Sequence, residues 1–291
     1  MLLFFLLFNP FVLILISVII LFILIKKDKQ KKEALRRKDY EEYMGSTYYQ
    51  ATKYPYESVM NDAGRYGEYL TYKELRCYEQ QGSKLLFNLY VPKWNGETSE
   101  IDVVMINAKG LFVFESKNFS GWIFGREQDK NWCQVLKGGE KIYFNNPIVQ
   151  NRTHLKYLAR FLRKTIPMHS IIVFSERCTL KNITINTTDI KVVNRYNLKP
   201  AITVISRNLP DVLTEADIEE IYKVLFSLGQ TDQATKDRHI KNIRNQQGVS
   251  PEGAVPVPIP MDVCGVQNQY DELTKETAQG EIGFDSQQLD A

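Results

Sequence analysis

Histidine and cysteine are scarce in this 291-residue chain, and neither is arranged as a metal site or a redox pair. The three histidines lie far apart in the sequence, which argues against a histidine-based metal site. The four cysteines form no C-x-x-C pair, so we interpret them as reduced thiols. A glycine-rich phosphate loop, an H-E-x-x-H motif and a serine elbow are also missing. These absences exclude P-loop enzymes, zinc peptidases of that motif and serine hydrolases.

Charge of one sign is not in excess either, because 37 Lys and Arg are balanced by 34 Asp and Glu. The basic excess is local, since eight Lys or Arg fall between Lys26 and Lys38. Net charge therefore gives no argument that the folded part binds nucleic acid. The composition, with 44% hydrophobic and 24% charged residues, predicts an ordinary folded protein with one domain between two unusual ends.

The N-terminus contains a long apolar run, residues 2–25, that no charged residue interrupts. A helix needs about 20 such residues to cross the hydrocarbon core of a bilayer. A cleaved signal peptide would require a basic start, a shorter apolar stretch and a small-residue cleavage site, and none of these is present. The basic cluster that follows is expected to stay in the cytoplasm and also offers a surface for anionic lipid headgroups. We expect a single-pass protein of the inner (cytoplasmic) membrane, with its N-terminus outside and its body in the cytoplasm.

Periodicity and composition divide the chain into four parts. We expect a transmembrane helix over residues 1–25, a basic juxtamembrane linker over 26–56, an α/β domain over 57–228 and a disordered tail over 229–291. The Tyr-rich end of the linker, residues 39–56, shows no clear period, so we assign no fold to this connector. The tail is rich in Gln, Asn, Asp and Lys and has four prolines between Pro251 and Pro260.

Within the domain, the spacing of apolar residues predicts a mixed α/β order. A capping box at Thr214 and Asp217 predicts the start of a last helix. The spacing in residues 198–209 fits a helix, although its β-branched residues leave a strand open. The other predicted elements are a helix over 64–81, a strand over 85–91, a hairpin of strands 101–106 and 111–117, short edge strands within 121–143, a helix over 148–164, and strands over 171–174 and 190–193.

Three chemistry-bearing side chains occur at the end of the predicted hairpin. Glu115 and Lys117 share one face of their strand, and Asp102 stands at the matching place on the neighbouring strand. Two carboxylates beside an apolar strand are costly unless a cation compensates them. Hard oxygen ligands suit Mg²⁺, with Mn²⁺ as an alternative. The competing interpretation is a structural ion pair between Glu115 and Lys117.

The ordered set of motifs around this hairpin resembles the NERD (nuclease-related) domain of the PD-(D/E)XK nuclease superfamily. The motifs are Gly67 and Glu68, then Glu100, Ile101 and Asp102, then Glu115 to Asn118 and Gly121, then Trp132, and finally Asn146 to Asn151 with His154. The resemblance implies a restriction-endonuclease-like mixed sheet flanked by helices. It also implies Asp102 and Glu115 as metal ligands, Lys117 as the catalytic lysine, and Glu68 as an assisting acid and further metal ligand.

Two positions on the second predicted helix complete the expected site. Gln150 and His154 match the place where related nucleases carry a Gln-x-x-x-Tyr pair, with histidine here instead of tyrosine. Positions four apart share a helix face, so both could face the metal, and the alternative for His154 is a structural histidine. Lys156 and Arg160 belong to a basic stripe that either follows a phosphate backbone or is a solvated face.

The sequence leaves two main functions open. The first is a membrane-anchored, Mg²⁺-dependent nuclease that hydrolyses phosphodiester bonds, with DNA as substrate by resemblance. The second is a non-catalytic module with the same fold that binds nucleic acid or a partner protein at the membrane. A membrane scaffold built from the anchor and the tail is a weaker third possibility.

Overall fold

The computed structural model describes residues 10–207, 209–231 and 233–247. Its first element is helix α1, Pro10–Met44, which is long and apolar enough to cross a membrane by length and composition. The apolar side chains of residues 11–25, such as Phe11 and Phe22, are mostly exposed along it. The helix continues through the basic cluster, where Asp28–Lys32 and Arg37–Glu41 ion pairs join successive turns. The first residues of the predicted transmembrane helix, 1–9, lie outside the described residues.

The Tyr-rich segment differs from the connector that we predicted. Helix α1 ends at Met44 and is followed by α2, Thr47–Thr52, and α3, Tyr56–Met60. Tyr43 and Tyr48 are fully buried in the folded body, which begins at Tyr43, and Tyr43 packs edge-on against Tyr69. Tyr43 lies at the end of the long helix α1 and Tyr48 in the short helix α2, so their burial produces no single period in the sequence.

The remaining elements follow the predicted α/β order. Their bounds are α4 Ala63–Glu79, β1 Lys84–Pro92, β2 Thr98–Asn107, β3 Gly110–Lys117, β4 Gly121–Arg126, β5 Asn131–Val135, β6 Lys141–Asn145, α5 Pro147–Leu162, β7 Met168–Phe174, β8 Cys178–Thr184, β9 Ile190–Asn194, α6 Leu198–Arg207, α7 Glu215–Gly229 and α8 Gln233–Gln247. The segment left open between helix and strand is the helix α6. The predicted capping box is present at the start of α7, where Thr214 and Asp217 bond each other's backbone N–H groups.

A five-stranded mixed sheet in the order β1-β2-β3-β7-β9 forms the centre of the fold. The hairpin strands β2 and β3 are antiparallel, whereas β3, β7 and β9 are parallel. Helix α4 packs on one face against Phe112 and Phe114. Helices α5 and α7 pack on the other face against Val104 and Val113. The predicted α/β class, a mixed sheet flanked by helices, is confirmed.

The inward and outward alternation of β1 and β2 breaks next to the hairpin end. Asn88 has a left-handed backbone (φ 51°), which is uncommon for a residue inside a strand. Leu86 and Leu89 both belong to the core cluster under α5 and α7. In a regular strand, two residues three positions apart would face opposite sides of the sheet. The paired strand β2 shows the same shift, because Ile101 and Val104 also lie in that cluster. The faces of both strands therefore exchange near Asp102.

The predicted edge strands form a sheet of their own. Its order is β6-β5-β4-β8, and β8, which the sequence did not predict, lies parallel to β4. Trp132 of β5 is buried and stacks on Phe174 of β7, with ring centroids 6.1 Å apart and an interplanar angle of 3°. The indole N–H donates to the carbonyl oxygen of Arg126 at 3.0 Å. This ring holds the small sheet against the central sheet.

A carboxylate fastens the small sheet to helix α5. Glu127, after β4, is buried and accepts the backbone N–H of Asn186 at 2.7 Å and of Thr187 at 3.1 Å. It also accepts the hydroxyl of Thr187 and pairs with Arg152 of α5. The backbone N–H of Asn186, then the Arg152 side chain, lowers the pKa of Glu127 to about 2.

Because this pKa is lowered, the charged form of Glu127 stabilises the folded state. The stabilisation is complete above the usual glutamate pKa and is lost as the pH falls toward about 2. Glu127→Gln is therefore expected to lower the urea midpoint at pH 7, and the difference from the parent is expected to shrink at about pH 3. Glu140→Gln, at an exposed turn position, is the control and should change neither midpoint. An effect of Glu127→Gln that is equal at both pH values would contradict this role.

The predicted boundary of the disordered tail, residue 229, lies before the end of the helical structure. Helix α8 lies inside the predicted tail, and His239 of that helix is buried against β1 and β2. The Nδ1 atom of His239 lies 3.0 Å from the hydroxyl of Thr98, and its Nε2 atom lies 3.5 Å from Glu100. The helix has little apolar periodicity, so its polar composition predicted disorder instead of a helix. Residues 248–291 of the predicted tail lie outside the described residues.

Candidate active site

Glu115 and Lys117 stand at the end of β3, where the sequence placed them. The side chain of Glu115 is only 1% exposed, and its Oε1 atom lies 2.6 Å from the Nζ atom of Lys117. The same ammonium donates to Oε1 of Gln150 on α5 at 3.2 Å. Three of the predicted site residues are therefore in direct contact.

Asp102 joins this group through the backbone of β3. The last paired residues of β2 and β3 toward this end are Val103 and Phe114. Beyond that pair, the Oδ2 atom of Asp102 accepts a hydrogen bond of 2.8 Å from the backbone N–H of Ser116. Ser116 is the residue between Glu115 and Lys117. A side chain thus replaces a backbone acceptor where the two strands separate. Asp102 is brought to the same end of the hairpin as Glu115 and Lys117, as predicted.

The carboxylates and the lysine affect each other's ionisation. Burial, and then the charges of Glu115 and Glu68, raise the pKa of Asp102 well above its usual range. Burial opposes the charged form of Lys117, but Glu115, Asp102 and Glu68 outweigh it and raise the pKa of this lysine. The ammonium therefore stays charged at neutral pH. The raised pKa of Asp102 means that its ionisation beside Glu115 is unfavourable with one lysine alone, and a further cation would favour the ionised form.

His154 faces Glu115 from helix α5. Its Nδ1 atom lies 3.4 Å from Oε2 of Glu115, and His154 is almost fully buried. The two atoms do not meet in hydrogen-bonding geometry, and neither has a hydrogen-bond partner in the described part of the chain. Burial lowers the pKa of His154, which keeps the imidazole neutral. The structure thus places His154 at the site, whereas its chemical role stays a prediction.

Two asparagines and a proline explain why α5 presents these side chains. Asn146 caps the helix by accepting the N–H of Ile148 at 2.9 Å, and Pro147 occupies the first turn. Asn151 then donates to the carbonyl oxygen of Val113 at 3.0 Å, and to the hydroxyl of Ser170 at 2.9 Å. These bonds fix the helix over β3 and β7, with Gln150 facing Lys117.

Glu68 approaches the group from α4, on the opposite face of the sheet. Its neighbour Gly67 packs so closely on β3 that a Cβ atom there would lie 2.7 Å from Cβ of Asn118. The hydroxyl of Tyr48 donates to Oε2 of Glu68 at 3.2 Å. Burial, followed by the charge of Glu100, raises the pKa of Glu68 to about 8. Glu68 is therefore mostly protonated at neutral pH, and only its ionised form raises the pKa of Asp102 and Lys117.

The basic stripe lies apart from this cluster. Lys156 and Arg160 are exposed on α5, on the side away from the buried residues Asn151 and His154. No described hydrogen bond or ion pair joins either residue to the site. Their contact with substrate stays a prediction.

The donor set fits a hard divalent cation at two carboxylates. Oε2 of Glu115 is buried without a hydrogen-bond partner among the described residues. Asp102 is the second oxygen donor beside it, with Oδ2 held by Ser116. Among the described residues, no three His, Cys, Asp or Glu side chains lie close enough to hold an ion together. Asp102 and Glu115 thus suit Mg²⁺, which keeps several waters, while Glu68 does not join them as a third ligand here.

Sequence reasoning missed the residues that arrange the site. Ser116 links Asp102 to β3 and also lies 3.1 Å, hydroxyl to hydroxyl, from Thr71 of α4. Tyr48 bonds Glu68 from a segment to which we assigned no fold. Asn88, opposite the site in β1, donates to the hydroxyl of Tyr54 at 3.4 Å. An asparagine inside an apolar strand was the one visible signal of the break in alternation.

Comparison with known proteins covers the same part of the chain. The family model described as nuclease-related domain (NERD) matches residues 63–175, from the first residue of α4 to just past β7. An uncharacterized protein of Bacillus anthracis is 29% identical over 184 residues, which cover 63% of this chain and 84% of the relative. No solved structure matches. The match to the nuclease-related domain therefore covers residues 63–175, which hold Asp102, Glu115, Lys117 and the whole of α5.

Proposed function

We propose that this domain is a metal-dependent nuclease that hydrolyses phosphodiester bonds in DNA. One observation carries the proposal: buried Glu115 contacts Lys117 through one oxygen, while its other oxygen has no hydrogen-bond partner in the described structure and lies in the field of Asp102. A purely structural ion pair does not explain the carboxyl group of half-buried Asp102 at the same end of the hairpin. A divalent cation would satisfy both oxygens.

Each residue of the candidate site has a separate role in the proposed reaction. Asp102 and Glu115 hold Mg²⁺ or Mn²⁺, which when bound activates water and stabilises charge on the phosphate oxygens. Lys117 remains charged, so it serves as a hydrogen-bond donor that orients the attacking water or stabilises the developing charge. Gln150 holds the ammonium in place through the 3.2 Å bond. Glu68, whose pKa is raised to about 8, is mostly protonated at neutral pH and, by family resemblance, assists as an acid from α4.

A non-catalytic binding module is the second candidate. The contact of 2.6 Å between Glu115 and Lys117 is already a closed ion pair, and no three-ligand group exists among the described residues. Such a module would bind nucleic acid or a partner protein without cutting. It requires no metal, so metal dependence separates the two functions.

The test is a cleavage assay on the full chain in detergent micelles. We expect labelled DNA to be cut with Mg²⁺ or Mn²⁺, and cutting to stop with chelator. Glu115→Gln should abolish cutting under the same conditions, and Glu140→Gln serves as the matched control. Cleavage that is indifferent to chelator and to Glu115→Gln would overturn the proposal. Binding without cleavage in every metal would support the second candidate.

We also propose that α1 anchors the domain in the inner membrane with its N-terminus outside. The exposed apolar side chains of residues 11–25 and the basic cluster that follows support this orientation. Protease added to intact spheroplasts should leave the nuclease-related domain uncut, and it should cut the domain after lysis. Digestion in intact spheroplasts would contradict the orientation.

A further inference from the structure

One face of the sheet β6-β5-β4-β8 is exposed and carries aromatic side chains. The opposite face holds buried residues such as Ile123 and Trp132, which pack on the central sheet. Strand pairing places Trp122 opposite Val135, Phe124 opposite Cys133, and Cys133 opposite Tyr143. The exposed and half-buried residues of this side, which we name the outer face, are Trp122, Phe124, Cys133, Val135, Lys141, Tyr143, Thr179 and Lys181.

The aromatic residues of the outer face are accessible. Trp122 is 52% exposed and Tyr143 is 68% exposed, although both are large enough to be buried in an ordinary core. Phe124, two residues after Trp122 on β4, is half-buried. Exposed rings on one sheet face form a platform on which unpaired bases can stack.

Cations lie among these rings. The Nζ atom of Lys181 lies 5.2 Å from the centroid of the Trp122 ring, and Lys141 is exposed next to Tyr143. None of the eight residues of the outer face is an aspartate or a glutamate. Exposed Lys137 and Glu140 balance each other in the turn between β5 and β6. The outer face is thus positive and aromatic, which complements a strand of bases joined by phosphates.

We propose that the outer face binds single-stranded nucleic acid by stacking its bases on Trp122, Phe124 and Tyr143. Duplex DNA hides its base faces, so a flat aromatic surface selects unpaired nucleotides. Lys141 and Lys181 contact the backbone phosphates. A membrane or an apolar protein surface would favour a continuous aliphatic patch without interleaved lysines.

The outer face connects to both sides of the candidate active site. Strand β4 begins four residues after Lys117, and β6 leads through Asn146 into α5, which carries Gln150. A single strand bound on this sheet would lie next to the elements that hold the site. The inference deepens the proposed nuclease function by naming single-stranded nucleic acid as its substrate class, and it rests on that function only for cleavage.

Binding without metal tests the inference apart from catalysis. Fluorescence anisotropy of the full chain in detergent, with chelator and a labelled oligothymidine of about 20 nucleotides, should show binding that exceeds binding of the same length of duplex. Stacking on one aromatic ring is typically worth about tenfold in affinity, so Trp122→Ala and Tyr143→Ala should each weaken binding by about that factor. Trp122→Phe should restore most of the loss.

The control is Trp94→Ala, because Trp94 is 76% exposed but lies in the turn between β1 and β2. Unchanged affinity in Trp122→Ala, or equal binding of single strand and duplex, would overturn the inference. Self-association of the parent that Trp122→Ala abolishes, without oligonucleotide binding, would instead assign the outer face to protein contact and overturn it. Binding that depends on Trp122 in a chain that never cuts DNA would support the inference while the nuclease proposal fails.

Discussion

Lys117→Met is expected to reduce DNA cleavage by about 10³-fold, the upper range for removing one preorganised hydrogen-bond donor from an active site. The ammonium touches both Glu115 and Gln150, so methionine of similar length removes a charge that no neighbour replaces. Single-turnover rates on labelled DNA with Mg²⁺ measure the effect. Lys223→Met, on the exposed side of α7, removes the same charge elsewhere and should leave the rate unchanged.

The substitution also leaves Glu115 buried without its ion-pair partner, which typically costs a few kcal/mol of stability. The assay should therefore run well below the thermal midpoint, with circular dichroism as the check on folding. The double variant Glu115→Gln with Lys117→Met removes both charges and should recover stability but no activity. A folded Lys117→Met variant that cuts at more than about a tenth of the parent rate would exclude this lysine from catalysis.

Gly125→Ala is expected to destabilise the folded domain by about 3 kcal/mol, which is severe for the addition of one methyl group. A Cβ atom at position 125 would lie 2.2 Å from the ring of Trp132. The ring cannot move aside, because it is 1% exposed, stacks on Phe174 and donates its N–H to Arg126. The thermal midpoint should fall by roughly 6–12 °C.

Gly64→Ala is the matched control for that experiment. Gly64 lies in the first turn of α4, and a Cβ atom there would meet only Oδ1 of Asp62, at 3.3 Å. Alanine favours a helix over glycine by about 1 kcal/mol, so this variant should unfold at the parent temperature or slightly above it. Equal midpoints for Gly125→Ala and the parent would mean that Trp132 does not pack as described.

The hairpin and its flanking helices could be predicted because their apolar residues repeat with the periods of buried strands and amphipathic helices. Strand β8 could not, since most of its residues are exposed and only Cys178 is buried. Helix α8 could not be predicted for a related reason. Polar contacts of His239, rather than an apolar stripe, attach this helix to β2. Buried tyrosines such as Tyr48 satisfy their hydroxyls through partners that only the fold reveals.

The candidate site shows the same division. The E-x-K pattern, with a preceding acid on the next strand, predicted the proximity of Glu115, Lys117 and Asp102. The spacing of four residues predicted that Gln150 and His154 share a helix face, and both reach the Glu115 and Lys117 pair. The residues around Glu68 did not predict a role for it, and only the family resemblance indicated one. The strand separation that Asp102 bridges through Ser116 has no sequence period at all.

Anomalous diffraction from crystals of the full chain with Mn²⁺ tests the central claim most directly. A metal peak bonded to both Asp102 and Glu115, at the distances of about 2.0–2.6 Å typical of oxygen ligands to hard cations, is the predicted result. Crystals that bind no Mn²⁺ between these carboxylates, at a concentration that supports DNA cleavage, would contradict the account.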